Sequence, residues 1–336
     1  MNQDKLAELV DRVPALDKRG TFTGPAWEEI IPVLDGLLAG GRESLIGVVA
    51  LLKDVDDGAD YKARYLLHAL AQYLGRPGKE AGRALFVEAL ASQLGAERSK
   101  GVLGYVARQL QVIGDKSAVP ALGKLLADAE LCEYATQALL SIRDGAAAEF
   151  RKALPDLKAG PRLTVIQALG VLADEDSAAA LREAVADADR EIRLAAAWGL
   201  ARIGDAASVD LVLKAAGVEA GYERIKATST ALLLAENLLA GGKKTESAKI
   251  YRHLKDTRED ASEAYVREIA TEGLARAGCA PVDAGILPTP ALGVLVPRRG
   301  ALCGVVVSAS HNPAEFNGIK FFTADGFKMD PGTEDE

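Results

Sequence analysis

Two serines, a histidine and a lysine stand close together near the end of this 336-residue chain, in VVVSASHNPAEFNGIKFF (305–322). GVVVSAS (304–310) is an apolar, β-branched run that ends in small hydroxyl residues, which predicts a strand. HNPAEFNG (311–318) is turn chemistry, and IKFF (319–322) begins a return strand. A serine placed where a strand breaks into a loop is exposed yet firmly held. That suits a residue which must accept and donate a phosphoryl group. His311 and Lys320 would supply positive charge and hydrogen-bond donors for phosphate oxygens. Ser308, Asn312, Asn317 and Gly318 would support the loop around Ser310.

The residues ahead of this loop are of another kind. YVARQLQVIGD (105–115), YATQALLSIRD (134–144), TVIQALGVLAD (164–174) and AAAWGLARIGD (195–205) repeat one pattern. Each ends in an aspartate, and Asp115, Asp144, Asp174 and Asp205 follow one another at almost equal intervals. Leucine stands five positions before each, Ile or Leu two before, and Val or Ala nine before. These offsets follow i, i+4, i+7 and mark one face of an α-helix. A second apolar helical run follows each aspartate, as in KSAVPALGKLLAD (116–128) and ASVDLVLKAAG (207–217). Helix pairs this short cannot bury both helices alone, so they must stack into an α-solenoid. The region resembles HEAT repeats of the short variety, most clearly over 100–217. Residues 218–262 read as longer helices and 1–60 as divergent or capping units. The aspartates are expected to cap free backbone N–H groups.

Composition changes near residue 280. The stretch 281–336 holds six of the 13 prolines and four of the seven phenylalanines. The expected division is therefore a solenoid over 1–280 and a small α/β fragment over 281–336. Within the fragment, GILPTPAL (285–292), GVVVSASHNP (304–313), NGIKFF (317–322) and DGFKM (325–329) occur in order. Together they resemble the first domain of the α-D-phosphohexomutases, most closely the phosphoglucosamine mutases, over about 283–330. By that resemblance Ser310 carries the phosphate, Ser308 is its neighbour, and His311 and Lys320 line the site. The resemblance also implies Mg²⁺, bound in part through the phosphate on Ser310. The family's opening segment, its D-G-D-x-D-R metal loop and its sugar loops have no counterpart here, and the chain stops at DPGTEDE.

Composition narrows the function classes. A net charge of −8 and a pI near 5.2 disfavour a general nucleic-acid binder. The N-terminus lacks the apolar core of a signal peptide, and LIGVVALL (45–52) is too short to span a bilayer. Cys132, Cys279 and Cys303, like His68, His253 and His311, are too scattered to hold a metal; the thiols are expected to be reduced and buried. DVDDGAD (54–60) has the look of a calcium loop, but Gly58 falls at the third ligand position and the closing glutamate is missing. LGRPGKEAGR (74–83) is expected to be an exposed loop, with partner binding as its other use. The expectation is a cytoplasmic binding scaffold with a protein partner, joined to a truncated mutase domain that is not competent alone. It takes a hexose phosphate only if completed. The alternative is a phosphosugar mutase whose missing parts arrive in trans.

Overall fold

Leucines and alanines spaced i, i+4, i+7 bury one stripe of each repeat helix. Val106, Leu110, Ala135, Leu139, Val165, Leu169, Ala196 and Leu200 are all sealed from solvent. Burying one leucine side chain of this kind contributes about 2 kcal/mol. A computed structural model describes residues 3–54, 58–278, 284–301, 303–308 and 318–329. The chain forms two compact units, Met1–Gly278 and Cys279–Glu336.

The first unit is helical. It opens with α1 (Gln3–Asp11), α2 (Trp27–Ala39), α3 (Gly41–Ala50), α4 (Tyr61–Leu74) and α5 (Glu80–Gln93). The regular repeats follow as α6 (Lys100–Ile113), α7 (Val119–Gly123), α8 (Cys132–Ile142), α9 (Ala146–Ala153), α10 (Ala159–Leu172), α11 (Ala178–Ala184) and α12 (Arg190–Ile203). The unit closes with α13 (Val209–Ala216), α14 (Tyr222–Ala240), α15 (Lys244–Thr257) and α16 (Ala264–Gly278). The even-numbered helices from α4 to α16 touch one another in turn, while α5, α7, α11, α13 and α15 pack behind α6, α8, α12, α14 and α16. This is the expected helical solenoid. No helix among the described residues is long and apolar enough to cross a membrane.

Two local expectations need correction. The run 116–128 is not one helix: a 3-10 turn, Lys116–Ala118, leads into the short α7. The recurring aspartates also divide their labour. Asp115 does cap, accepting from the Ser117 N–H at 2.9 Å. Asp174 and Asp205 instead bind Arg151 and Arg182, which precede them by the same distance along the chain, the second pair at 2.8 Å. In both turns the aspartate's backbone carbonyl, not its side chain, accepts from the Ser177 and Ser208 N–H groups at 3.1 Å and from their hydroxyls at 2.7 Å. The helix-to-helix ion pair wins because the arginine arrives from the preceding short helix, a contact that local spacing does not reveal.

The residue before these aspartates often turns left-handed: Arg143 at φ 64°, Ala173 at 51° and Gly204 at 73°. Only Gly204 lacks a Cβ to strain there. Ala173→Gly is therefore expected to stabilise the first unit by about 0.5–1 kcal/mol. A thermal melt of the two proteins checks this, and an unchanged or lower midpoint contradicts it.

The basic loop is exposed over 75–78, as expected, and its basic side chains also make contacts within the fold. The Arg76 guanidinium lies 4.4 Å over the Trp27 ring and the Lys79 amine 4.3 Å over Tyr73. Arg83 donates to the Ile113 and Gly114 carbonyls at 3.1 Å, closing the end of α6. In the calcium-like stretch, residues 55–57 lie outside the described residues, but Asp60 is buried against Arg64 at 2.8 Å and accepts from the Lys53 N–H at 2.9 Å. Burial alone would raise its carboxyl, yet these donors hold it below the usual carboxylate range.

The second unit contains α17 (Thr289–Arg299) and two strands, β1 (Cys303–Ser308) and β2 (Gly318–Thr323). The strands pair antiparallel, from Cys303 opposite Thr323 to Ser308 opposite Gly318. Alternation puts Gly304, Val306, Lys320 and Phe322 on one face, which packs on α17. Val305, Val307 and Ile319 occupy the other face and are exposed. Cys303 shares that face and is exposed, whereas Cys132 is buried, so the expectation of buried thiols holds for only one of these two.

Candidate functional site

The strand pair determines where a serine loop can sit. β-Branched residues in β1 favour the extended backbone, and the register brings the C-terminal end of β1 beside the start of β2. Any segment joining Ser308 to Gly318 must leave and re-enter the sheet at this one end. Ser308 closes β1 and Gly318 opens β2. Lys320 lies slightly further along β2, opposite Val306, half-buried on the face that α17 covers. Ser310, His311, Asn312 and Asn317 lie outside the described residues. The geometry thus brings Ser308, Gly318 and Lys320 to one strand end.

A second contact joins two further sequence blocks. After β2 the chain turns at 324–326, and the Met329 N–H donates back to the Phe321 carbonyl at 2.9 Å. Gly326 in that turn has φ +83° and touches Gly293 of α17 so closely that a Cβ would lie 1.9 Å from the Gly293 carbonyl oxygen. The DGFKM block is thus seated on the helix that begins within GILPTPAL. Sequence inspection missed this contact; Gly326 within the DGFKM block and Gly293 just after GILPTPAL were its available signal.

Whether this unit could hold a divalent ion is decided by its oxygen donors. Such ions need several carboxylate or carbonyl oxygens converging on one point. Asp325, in the exposed 324–326 turn, is the one carboxylate among the described residues of the unit. Across all described residues no group of three or more His, Cys, Asp or Glu could hold a metal. The described residues do not fit Mg²⁺.

Residues 147–232 match the family described as HEAT repeats, and residues 254–336 match the family described as phosphoglucomutase/phosphomannomutase, alpha/beta/alpha domain I. The chain is also similar to known phosphoglucosamine mutases. It is 50% identical over 80 residues to the one from Clostridioides difficile, which covers 24% of this chain and 17% of that protein. To the one from Renibacterium salmoninarum it is 44% identical over 109 residues, 32% of this chain and 23% of that protein. A crystal structure of an engineered protein shares 19% identity at a TM-score of 0.42, covering 81% of this chain and 78% of that one.

The mutase match begins at Leu254, well before the expected onset near residue 283. It therefore includes the end of α15 and all of α16, which pack on α14 in the first unit. EIATEGLARAGC (268–279) looks like a repeat helix because the buried residues of α16, such as Val266, Ala270 and Ala277, keep helical spacing. Periodicity alone does not mark where the match begins.

Proposed function

We propose that this chain is a cytoplasmic HEAT-repeat scaffold that binds a protein partner, and that its mutase-like stretch does not turn over sugar phosphates in the 336-residue polypeptide alone. The observation that carries this reading is one of extent. The chain spans only 17% of the Clostridioides difficile phosphoglucosamine mutase, and part of that matching stretch is built into the helical unit. Mutase chemistry also leans on a divalent ion to offset phosphate charge, and the described residues do not fit one. In this reading Ser310 is the residue able to take a phosphate. His311 and Lys320 lie near it, with Ser308, Asn312, Asn317 and Gly318 shaping the loop. Neither nucleic acid nor a membrane is a partner.

A second reading, a phosphosugar mutase completed in trans, is favoured by the 50% identity of the matched stretch and by its unbroken SASHNP motif. One experiment separates them. The full chain is incubated with glucosamine 6-phosphate, Mg²⁺ and a hexose bisphosphate, and product is followed beside the intact mass. The expected result is no conversion above the rate without protein. Conversion that Ser310→Ala abolishes overturns the scaffold reading. A mass gain of one phosphate without conversion, lost in Ser310→Ala, identifies Ser310 as an acceptor without turnover.

A further inference from the structure

We propose that the cleft across α4, α6 and α8 binds an extended peptide bearing side-chain carboxylates, with Arg108 pairing with a carboxylate and Gln109 donating to the peptide backbone. This rests on the scaffold reading and names the kind of partner.

The cleft has a volume of about 700 Å³, within the range of sites that enclose a ligand segment. Its floor is aromatic and fixed. The Tyr105 hydroxyl donates to the Arg64 carbonyl at 2.6 Å, and the Arg64 guanidinium lies 4.7 Å over the Tyr105 ring. Burial pushes this phenol up to about 12, so it remains a neutral donor at physiological pH. Tyr134 forms the next wall, and Val112, 53% exposed, offers an apolar edge.

Two groups in this cleft have unused capacity. Gln109 is only 4% exposed. Its carbonyl oxygen is taken by His68 Nδ1 at 3.2 Å, while His68 Nε2 meets the Gln72 amide at 3.0 Å. That chain orients the Gln109 amide so that its Nε2 donates to no described residue, and Gln109 lines the cleft. A nearly buried donor without a partner is costly unless something supplies the acceptor. Arg108 is the second group. Arg151, Arg162, Arg182, Arg193 and Arg224 each pair with a carboxylate on another element. Arg108 instead lies exposed, 5.2 Å over the Tyr134 ring, and pairs with no described carboxylate.

These features select the ligand. An extended chain has a free carbonyl at every residue for the Gln109 amide, and a carboxylate is the natural partner of a planar guanidinium. Neighbouring packed helices lie about 8–10 Å apart, and three residues of extended polyproline II chain advance about 9 Å, so every third side chain meets a new helix. Glu133 also lines the cleft, its carboxylate accepting from the Gln137 amide at 2.8 Å. It orients the ligand, repelling acidic side chains from its own side and leaving them to Arg108. One unpaired arginine beside a carboxylate, in a chain of net charge −8, is a poor match for a nucleic-acid backbone, whose binding needs several phosphate contacts.

The test uses the full chain and three fluorescein-labelled dodecapeptide pools of otherwise degenerate sequence. Every third position is fixed as Asp or Glu, as Asn or Gln, or as Lys. A dodecamer of single-stranded DNA is the fourth probe, and polarisation is the readout. The acidic pool is expected to bind at least about tenfold more tightly than the others. Arg108→Ala should lose about fivefold to tenfold and Gln109→Leu about fivefold, with the melting curve of Arg108→Ala unchanged because that side chain is exposed. Equal binding of all peptide pools, or acidic binding insensitive to Arg108→Ala, overturns the assignment of this cleft but leaves the scaffold reading intact. No binding by any pool, or preference for the DNA, also overturns it. Sugar-phosphate turnover that depends on Ser310 strikes the scaffold reading alone.

Discussion

Arg258→Leu is expected to destabilise the helical unit by about 3–5 kcal/mol, the range for breaking a buried charged network. Arg258 is 1% exposed. Its guanidinium donates to the Ala216 carbonyl at the end of α13 at 2.7 Å, to the Thr228 hydroxyl in α14 at 3.2 Å and to the Thr257 hydroxyl at 3.0 Å. Its Nε lies 3.3 Å from Glu263, an ion pair without hydrogen-bond geometry. Burial, and then the charge of Arg224, pull its pKa below that of an ordinary arginine, with Glu263 acting against them. Leucine would leave the Ala216 carbonyl buried without a donor. Urea unfolding of the full chain measures the loss, and a change under about 1 kcal/mol contradicts the account. Arg276→Ala is the comparison. It breaks an exposed pair with Glu236 at 3.0 Å and should cost less than about 1 kcal/mol.

Acid adds a second signature to the same region. Arg224 grips Glu263 through two bonds of 2.9 and 2.7 Å, which holds that carboxyl below its ordinary 4.5. A group lowered on folding contributes its full stabilisation above the unfolded value. That contribution fades as pH falls below 4.5 and through the lower folded value.

Gly326→Ala is expected to abolish the packing of the second unit while sparing the first. Two penalties meet at this residue. A Cβ at φ +83° costs about 1 kcal/mol, and it would stand 1.9 Å from the Gly293 carbonyl and 3.2 Å from Pro297 Cδ. Backbone cannot yield as a flexible side chain does, so overpacking adds about 1–3 kcal/mol or more. Val296 and Phe322 are the buried apolar residues among those described in this unit, too small a core to absorb such a loss. Amide hydrogen exchange should show Phe321 and Phe322 losing protection, with α4 to α14 unchanged. Gly300→Ala separates the two penalties. At φ +61° nothing lies within 4 Å of its Cβ, so it should cost about 1 kcal/mol and leave the strands protected. Retained protection in Gly326→Ala contradicts the account.

Which parts of this molecule were legible in its residues follows from the range of each interaction. Helices α6, α8, α10 and α12 fall on the four repeated segments because Leu110, Leu139, Leu169 and Leu200 obey a purely local rule. The strands were equally plain from Val305–Val307 and from Ile319, Phe321 and Phe322. Contacts across elements were not. Nothing near Asp174 or Asp205 announces Arg151 or Arg182, and only the equal separation within the two pairs could have done so. The loop chemistry was read from motif alone, with Ser310 and His311 outside the described residues.

The overlap at α15 and α16 has a practical consequence for anyone dividing this protein. The mutase match and the helical unit overlap: the match starts at Leu254, whereas the helical unit runs to Gly278. A cut before Leu254 strips Arg258 and α16 from the solenoid and bares Tyr251, whose ring meets Gly273 of α16. A cut after Gly278 discards the opening part of the match, 254–278, from the matched stretch. That segment belongs both to the helical unit and to the matched stretch, so neither can be cut out as a clean piece without truncating the other.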